Sequence, residues 1–231
     1  MKVDIGIIGA MQPEVQELIS ELDNREGKCI SGVTVYSGVL LGKRVAVAQC
    51  GVGKVFAAIC AEAMIREYSP DLLINTGVGG ALASGLSTGD IVIASTLCQH
   101  DMDTSAIGDP VGLISGINKI FFDADGRAVE LLLESAEALG LSATVGRVAT
   151  GDKFIASPVD KARIRESFSA DACEMEGGAI AQVAFVNGTP FAVVRAISDS
   201  ADGEATMDYP TFLPLAAKNS TALTRSLVEK W

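Results

Sequence analysis

VDIGIIGAMQPEVQELISEL, residues 3–22, passes from a continuous apolar run to a segment of helical pattern, and that passage decides the fold. The first part, VDIGIIGA, reads as a strand buried on both faces. The second, PEVQELISEL, reads as a helix with Pro13 in its first turn, where a missing N–H costs nothing. A buried strand feeding a helix is the unit of an α/β protein, and the same alternation continues outward from it.

VTVYSGVLL and KRVAVAQC pair as a hairpin about Gly42 and Lys43. A helix over VFAAICAEAMIREY follows, then the strand DLLINTGV, a Gly/Ala loop, and the strand GDIVIASTLCQ. Residues 104–119, rich in Gly, Pro and Ser, read as one long loop, a kind that is usually functional or mobile. A helix over GRAVELLLESAEAL and a strand over ATVGRVATGD come next. SPVDKARIRESF is a helix with Ser157 as N-cap and Pro158 at its first position. Another helix runs from after Cys173 to Asn187, where Gly188 and Pro190 end it. PFAVVRAIS is a continuous apolar strand, and a C-terminal helix completes the chain. No linker or repeat divides the 231 residues, so the expectation is one α/β domain over 1–231 with helices on both faces of a buried sheet.

Composition narrows the function. Hydrophobic residues make up 48% of the chain, and 18 basic against 29 acidic residues leave a net charge of −11. Such a chain repels polyanions, which argues against nucleic acid and anionic membrane as partners and for a neutral or zwitterionic small molecule. The five cysteines are scattered and form no CxxC pair, as expected of reduced thiols in a cytoplasmic protein. Asp4 interrupts the first apolar run, so no signal peptide is expected there, and no run reaches the ~18 residues of a spanning helix.

Carboxylates gather at three strand ends, where α/β proteins bind ligands. These are Glu14 in GAMQPEV, Glu174 and Glu176 in ACEMEGG, and Asp199 and Asp202 in RAISDSAD. Glu14 and Glu176 each read also as first-turn acids favoured by the helix dipole, and Asp199 as a plain turn aspartate. GVGKV lacks the spacing of a P-loop, GIIGAM is not GxGxxG, and HDMD with the chain's single histidine reads as a polar strand end. No metal or cofactor is expected. Lys54 after the GVG turn is expected to point to solvent or cap a loop.

Six segments in collinear order, GIIGAMxxE, GxGKVxAA, LINTGxxG, TGDxFI, EME and VVRAISDxAD, resemble the 5′-methylthioadenosine/S-adenosylhomocysteine nucleosidases of the purine nucleoside phosphorylase superfamily. The resemblance runs from about Val3 to Leu227. It implies a three-layer α/β/α fold with a central mixed sheet, a homodimer, and hydrolysis of an N-ribosidic bond with release of adenine. Methylthioadenosine, adenosylhomocysteine and 5′-deoxyadenosine are the implied substrates. By the same resemblance Asp199, oriented by Ser198, protonates N7 of the base, and its apolar strand keeps that proton near neutral pH. Glu14 takes a proton from the attacking water, and Glu176 bonds the ribose 2′- and 3′-hydroxyls. Met175, which reads equally as a core methionine, lies against the ribose. Phe154 stacks on the adenine, the Ile155 backbone reads its edge, and Tyr209 closes the far side. Val78 and Gly80 line the pocket. Glu174 is placed with the substrate-binding residues but has no assigned task; a structural or edge role is expected of it, not catalysis.

The chain departs from the family pattern at Val78, where serine is common, and at Ile107, Asp109 and Val111, in a loop that tends to be aromatic and reaches the partner subunit's pocket. These departures bear on the 5′-substituent more than on the reaction. Two rivals remain, a phosphate-dependent phosphorylase and a nucleoside-binding sensor without turnover.

Overall fold

The computed structural model describes residues 2–199 and 205–231, the side chains of 205–210 excepted. The opening strand is β1 (Ile5–Gly9), followed by α1 (Gln12–Ser20), β2 (Asp23–Ile30), β3 (Val33–Leu40), β4 (Lys43–Gln49) and α2 (Lys54–Tyr68). Then come β5 (Leu72–Ala81), β6 (Ile91–Gln99), a single 3₁₀ turn at Ser105–Ile107, β7 (Phe122–Asp123) and α3 (Gly126–Ala138). The chain closes with β8 (Ala143–Thr150), α4 (Pro158–Phe168), β9 (Ala172–Glu174), α5 (Gly177–Asn187), β10 (Phe191–Asp199) and α6 (Ala205–Lys230).

One mixed sheet holds all ten strands. β5 is its pivot, running parallel to β1 on one side and to β10 on the other, and pairing antiparallel with β9 at its C-terminal end. β10 continues to β6, β6 to β8 and β8 to β9, so five strands close a ring through β5. From the ring a flatter strip extends through β1, β4, β3 and β2.

Strand periodicity sorts the core into two layers, because successive side chains point to opposite faces. Ile5, Ile7, Val45, Val47, Ile91 and Ile93 pack with α1, α3 and α6. Ile8, Ala46, Ala48, Val92 and Ala94 pack with α2 and α5 on the other face. The three-layer α/β/α architecture with a central mixed sheet follows directly.

Several details differ from the sequence reading. The helix expected from just after Cys173 begins only at Gly177, because Ala172–Glu174 pair into the sheet as β9. The β3–β4 turn sits at Leu41 and Gly42, with φ of 52° and 80°, one residue earlier than expected. Two consecutive positive φ values match the right-handed twist of the flanking strands. β2, whose sequence DNREGKCI has no apolar alternation, is a strand all the same, exposed along its length at the sheet edge. Ser157 does occupy the N-cap of α4, but its hydroxyl makes no capping bond.

Candidate active site

The C-terminal ends of β1, β5 and β10 lie side by side, and β9 delivers a fourth segment beside them. A cavity opens there, lined by Ala10, Met11, Glu14, Val52, Val78, Gly79, Gly80, Lys153, Phe154, Ile155, Cys173, Glu174, Met175, Glu176, Ser198 and Asp199. Nine of the expected pocket residues thus meet, together with Glu14. Ile107 does not join them within its own chain and is 83% exposed. The side chain of Tyr209 and all of Asp202 lie outside the described residues.

Glu14 is at once a helix-start residue and a pocket residue. It stands in the third position of α1 and is 3% exposed. Its Oε2 accepts from the amides of Ala10 at 2.7 Å and Met11 at 2.8 Å, and its Oε1 accepts from Val78 N–H at 3.1 Å. Burial raises its pKa, opposed by the Met11 amide, the charge of Arg195 and the other two amides. A Cβ on Gly77 would come within 2.6 Å of Oε1, so β5 must carry glycine there to admit the carboxylate.

Asp199 ends β10 and is 2% exposed. The Ser198 hydroxyl donates to its Oδ1 at 3.0 Å, the contact expected of an orienting group. A Cβ on Gly80 would meet its Oδ2 at 2.8 Å, a second place where β5 makes room for an acid. The surroundings are not purely apolar, however. The ammonium of Lys161, from α4, lies 3.3 Å from Oδ2 and is itself buried.

The EME triplet divides its acids between two tasks. Glu174 is buried and accepts from Arg195 Nη2 at 2.5 Å, from the Thr150 hydroxyl, and from the amides of Glu176 at 2.9 Å and Gly177 at 2.6 Å. Burial opposes its ionisation, but Arg195, Thr150 and the Gly177 amide outweigh it and hold the carboxyl below the usual range. It therefore caps α5 and anchors Arg195, in keeping with a structural role. Glu176 takes the N-cap position of α5, with Oε1 accepting from Gly53 N–H at 2.8 Å. Burial, then the charge of Glu174, pushes it up to about 7.

Arg195, Lys161 and Gly53 carry parts of this site that sequence reasoning passed over. Arg195 was visible in principle, as a lone cation within FAVVRAIS. A charge inside a continuous apolar strand needs a buried partner, and this one binds Glu174 and both side-chain and main-chain oxygens of Asn75. Lys161 carries no sequence signal beyond an ordinary helical lysine. Lys54 is half-buried and fixes a loop, the second of its two expected roles: its ammonium pairs with Asp101 at 2.6 Å and its amide donates to Asp152 at 2.8 Å, beside Gly53.

Among the described residues no cluster of three or more His, Cys, Asp and Glu side chains gathers as a metal site, and no helix is long and apolar enough to cross a membrane. His100 is buried beside Gly151 with burial holding its pKa down.

Residues 4–229 match the phosphorylase superfamily. The 5′-methylthioadenosine/S-adenosylhomocysteine nucleosidase of Shewanella halifaxensis is 39% identical over 228 residues, spanning 98% of this chain and 99% of that one. The nucleosidase of the same name from Neisseria meningitidis, solved in complex with methylthio-immucillin-A, superposes with a TM-score of 0.94 at 36% identity, over 98% and 99% of the two chains. Futalosine hydrolase of Helicobacter pylori superposes with a TM-score of 0.93 at 34% identity, over 98% and 97%.

Proposed function

The chain belongs to the phosphorylase superfamily, in its 5′-methylthioadenosine/S-adenosylhomocysteine nucleosidase family, and from that premise we propose that it hydrolyses the N-ribosidic bond of these two nucleosides and of 5′-deoxyadenosine. The products are adenine and the 5-substituted ribose. Residues 1–231 act as one catalytic domain, in the cytoplasm and as a homodimer.

The chemistry needs a proton on the leaving base, a hydroxide equivalent at C1′ and a counter-charge for the ribosyl cation. Asp199, with Ser198 on Oδ1, gives its proton to N7 as the C1′–N9 electron pair moves to the base. Glu14 removes a proton from the attacking water, and burial makes it a stronger base than an ordinary carboxylate. Glu176, acting as a carboxylate, holds the ribose hydroxyls. Phe154 and Ile155 cover the adenine, Met175 the sugar, and Val78 and Gly80 the wall between the two acids.

One observation carries the choice of water over phosphate. Three backbone amides toward the C-terminal ends of β1 and β5 reach one carboxylate, those of Ala10 and Met11 its Oε2 and that of Val78 its Oε1, in the manner of an anion nest. The protein's own Glu14 already occupies that nest. A phosphate dianion entering there would meet a buried carboxylate in place of free donors. A neutral water meets a base.

Incubation with methylthioadenosine, adenosylhomocysteine, 5′-deoxyadenosine and futalosine, followed by chromatography of the base, tests the reading. Adenine released from the first two supports it. Bound nucleoside recovered intact would make the protein a sensor.

A further inference from the structure

α4 presents three buried side chains along one face, Lys161, Ile164 and Phe168. The spacing is that of an apolar stripe, and a lysine in such a stripe is 3% exposed against a neighbourhood of Ile and Phe. Burying an ammonium is unfavourable unless an opposite charge meets it. Among the described residues Asp199 Oδ2 meets it, at 3.3 Å. The pair therefore ties α4, which begins just after the cavity-lining Phe154 and Ile155, to Asp199 at the cavity-lining end of β10.

We propose that Lys161 is a positioning residue for the general acid, holding Asp199 Oδ2 and compensating the charge that appears when Asp199 gives up its proton. The inference rests on the hydrolase reading above. Asp199 takes up a proton from solvent in the loaded site and passes it to the leaving base, the C1′–N9 pair goes with the base, and the carboxylate returns to its place opposite the Lys161 ammonium. Water then bonds to C1′ and its proton goes to Glu14. A preorganised charge beside a developing one needs no rearrangement at the moment of reaction, which is why such groups act on kcat. The opposite oxygen, Oδ1, is held by Ser198, so the two contacts together fix the plane of the carboxyl group.

A double-mutant cycle on the full-length protein tests this, with kcat and KM for methylthioadenosine measured in wild type, Lys161→Met, Asp199→Asn and the double variant. Removal of one preorganised electrostatic partner costs about 10²–10³-fold in kcat. The expected result is a loss of that order for Lys161→Met with KM changed less than about threefold. In the Asp199→Asn background, loss of Lys161 should then cost less than about threefold. Lys161→Arg, which keeps the charge, should recover most of kcat. Equal losses in both backgrounds, or a Lys161→Met enzyme as fast as wild type, would overturn the role while leaving the hydrolase reading intact. Wild-type protein that leaves methylthioadenosine whole would overturn both, and is seen before any variant is made. Lys161→Gln, which keeps a donor without the charge, replaces Met in the cycle if circular dichroism shows that the Met variant does not fold.

Discussion

Glu14, Glu176 and Asp199 differ in what each carboxyl oxygen touches, and those contacts set distinct consequences for removing the charge. Asp199→Asn and Glu14→Gln should each lower kcat by about 10²–10⁴-fold, the usual contribution of an acid or base. They should separate in stability. A glutamine at 14 has one carbonyl oxygen for three amides, so it leaves a buried donor unmatched at a cost of about 1–3 kcal/mol. Thermal melts beside the kinetics check both halves, and wild-type turnover in either variant removes that residue from the mechanism. Glu176 gives a pH-dependent counterpart. Its folded pKa, about 7 against 4.5 for a free carboxyl, means the folded state binds the extra proton between those values. Stability from this group therefore falls as pH rises from about 4.5 to 7, by at most about 3 kcal/mol. Glu176→Gln should melt higher than wild type at pH 7.5 and lose that advantage near pH 4.5, while kcat drops. An advantage that grows toward acid pH would contradict the assigned burial effect.

The strand and helix elements show where local pattern suffices and where it does not. β1, β5 and β10 were legible because each is an apolar run buried on both faces, and the acids at their ends were legible as polar residues placed against that pattern. β2 was not, since a charged edge strand has no periodicity to betray it and is held by backbone pairing to β3. β9 was hidden by its three-residue length. Pairings between segments far apart in the chain, Lys161 with Asp199 and Gly53 with Glu176, leave no mark in the local sequence. Helix starts repay a similar distinction. Ser157 has the right residue type and makes no bond, whereas Asp125 accepts from Ala128 N–H at 2.9 Å at the start of α3. Asp125→Ala should cost about 1 kcal/mol and roughly 2–4 °C in Tm, with kcat untouched because α3 lies away from the cavity. A melt identical to wild type would show the cap to be idle.

Across the whole molecule, the outer faces of α2 and α5 are unusual for a protein of net charge −11. Val55, Phe56 and Ile59 on α2 and Phe185 and Val186 on α5 are all at least 40% exposed. An apolar patch of that kind on an otherwise acidic surface suits a second copy of the chain, in line with the proposed homodimer. Residues 104–119, including Ile107, would then reach the neighbouring cavity. Sedimentation at assay concentration should find a dimer, and a fully active monomer would remove the shared pocket from the account. Water as the nucleophile is what separates hydrolysis from phosphorolysis here, because the amides that would cradle phosphate are spent on Glu14. Its most direct test is phosphorus and carbon NMR of the products formed from methylthioadenosine with and without millimolar phosphate. Free 5-methylthioribose, formed at the same rate in both, is the predicted result; a 5-methylthioribose 1-phosphate that appears only with phosphate would contradict it.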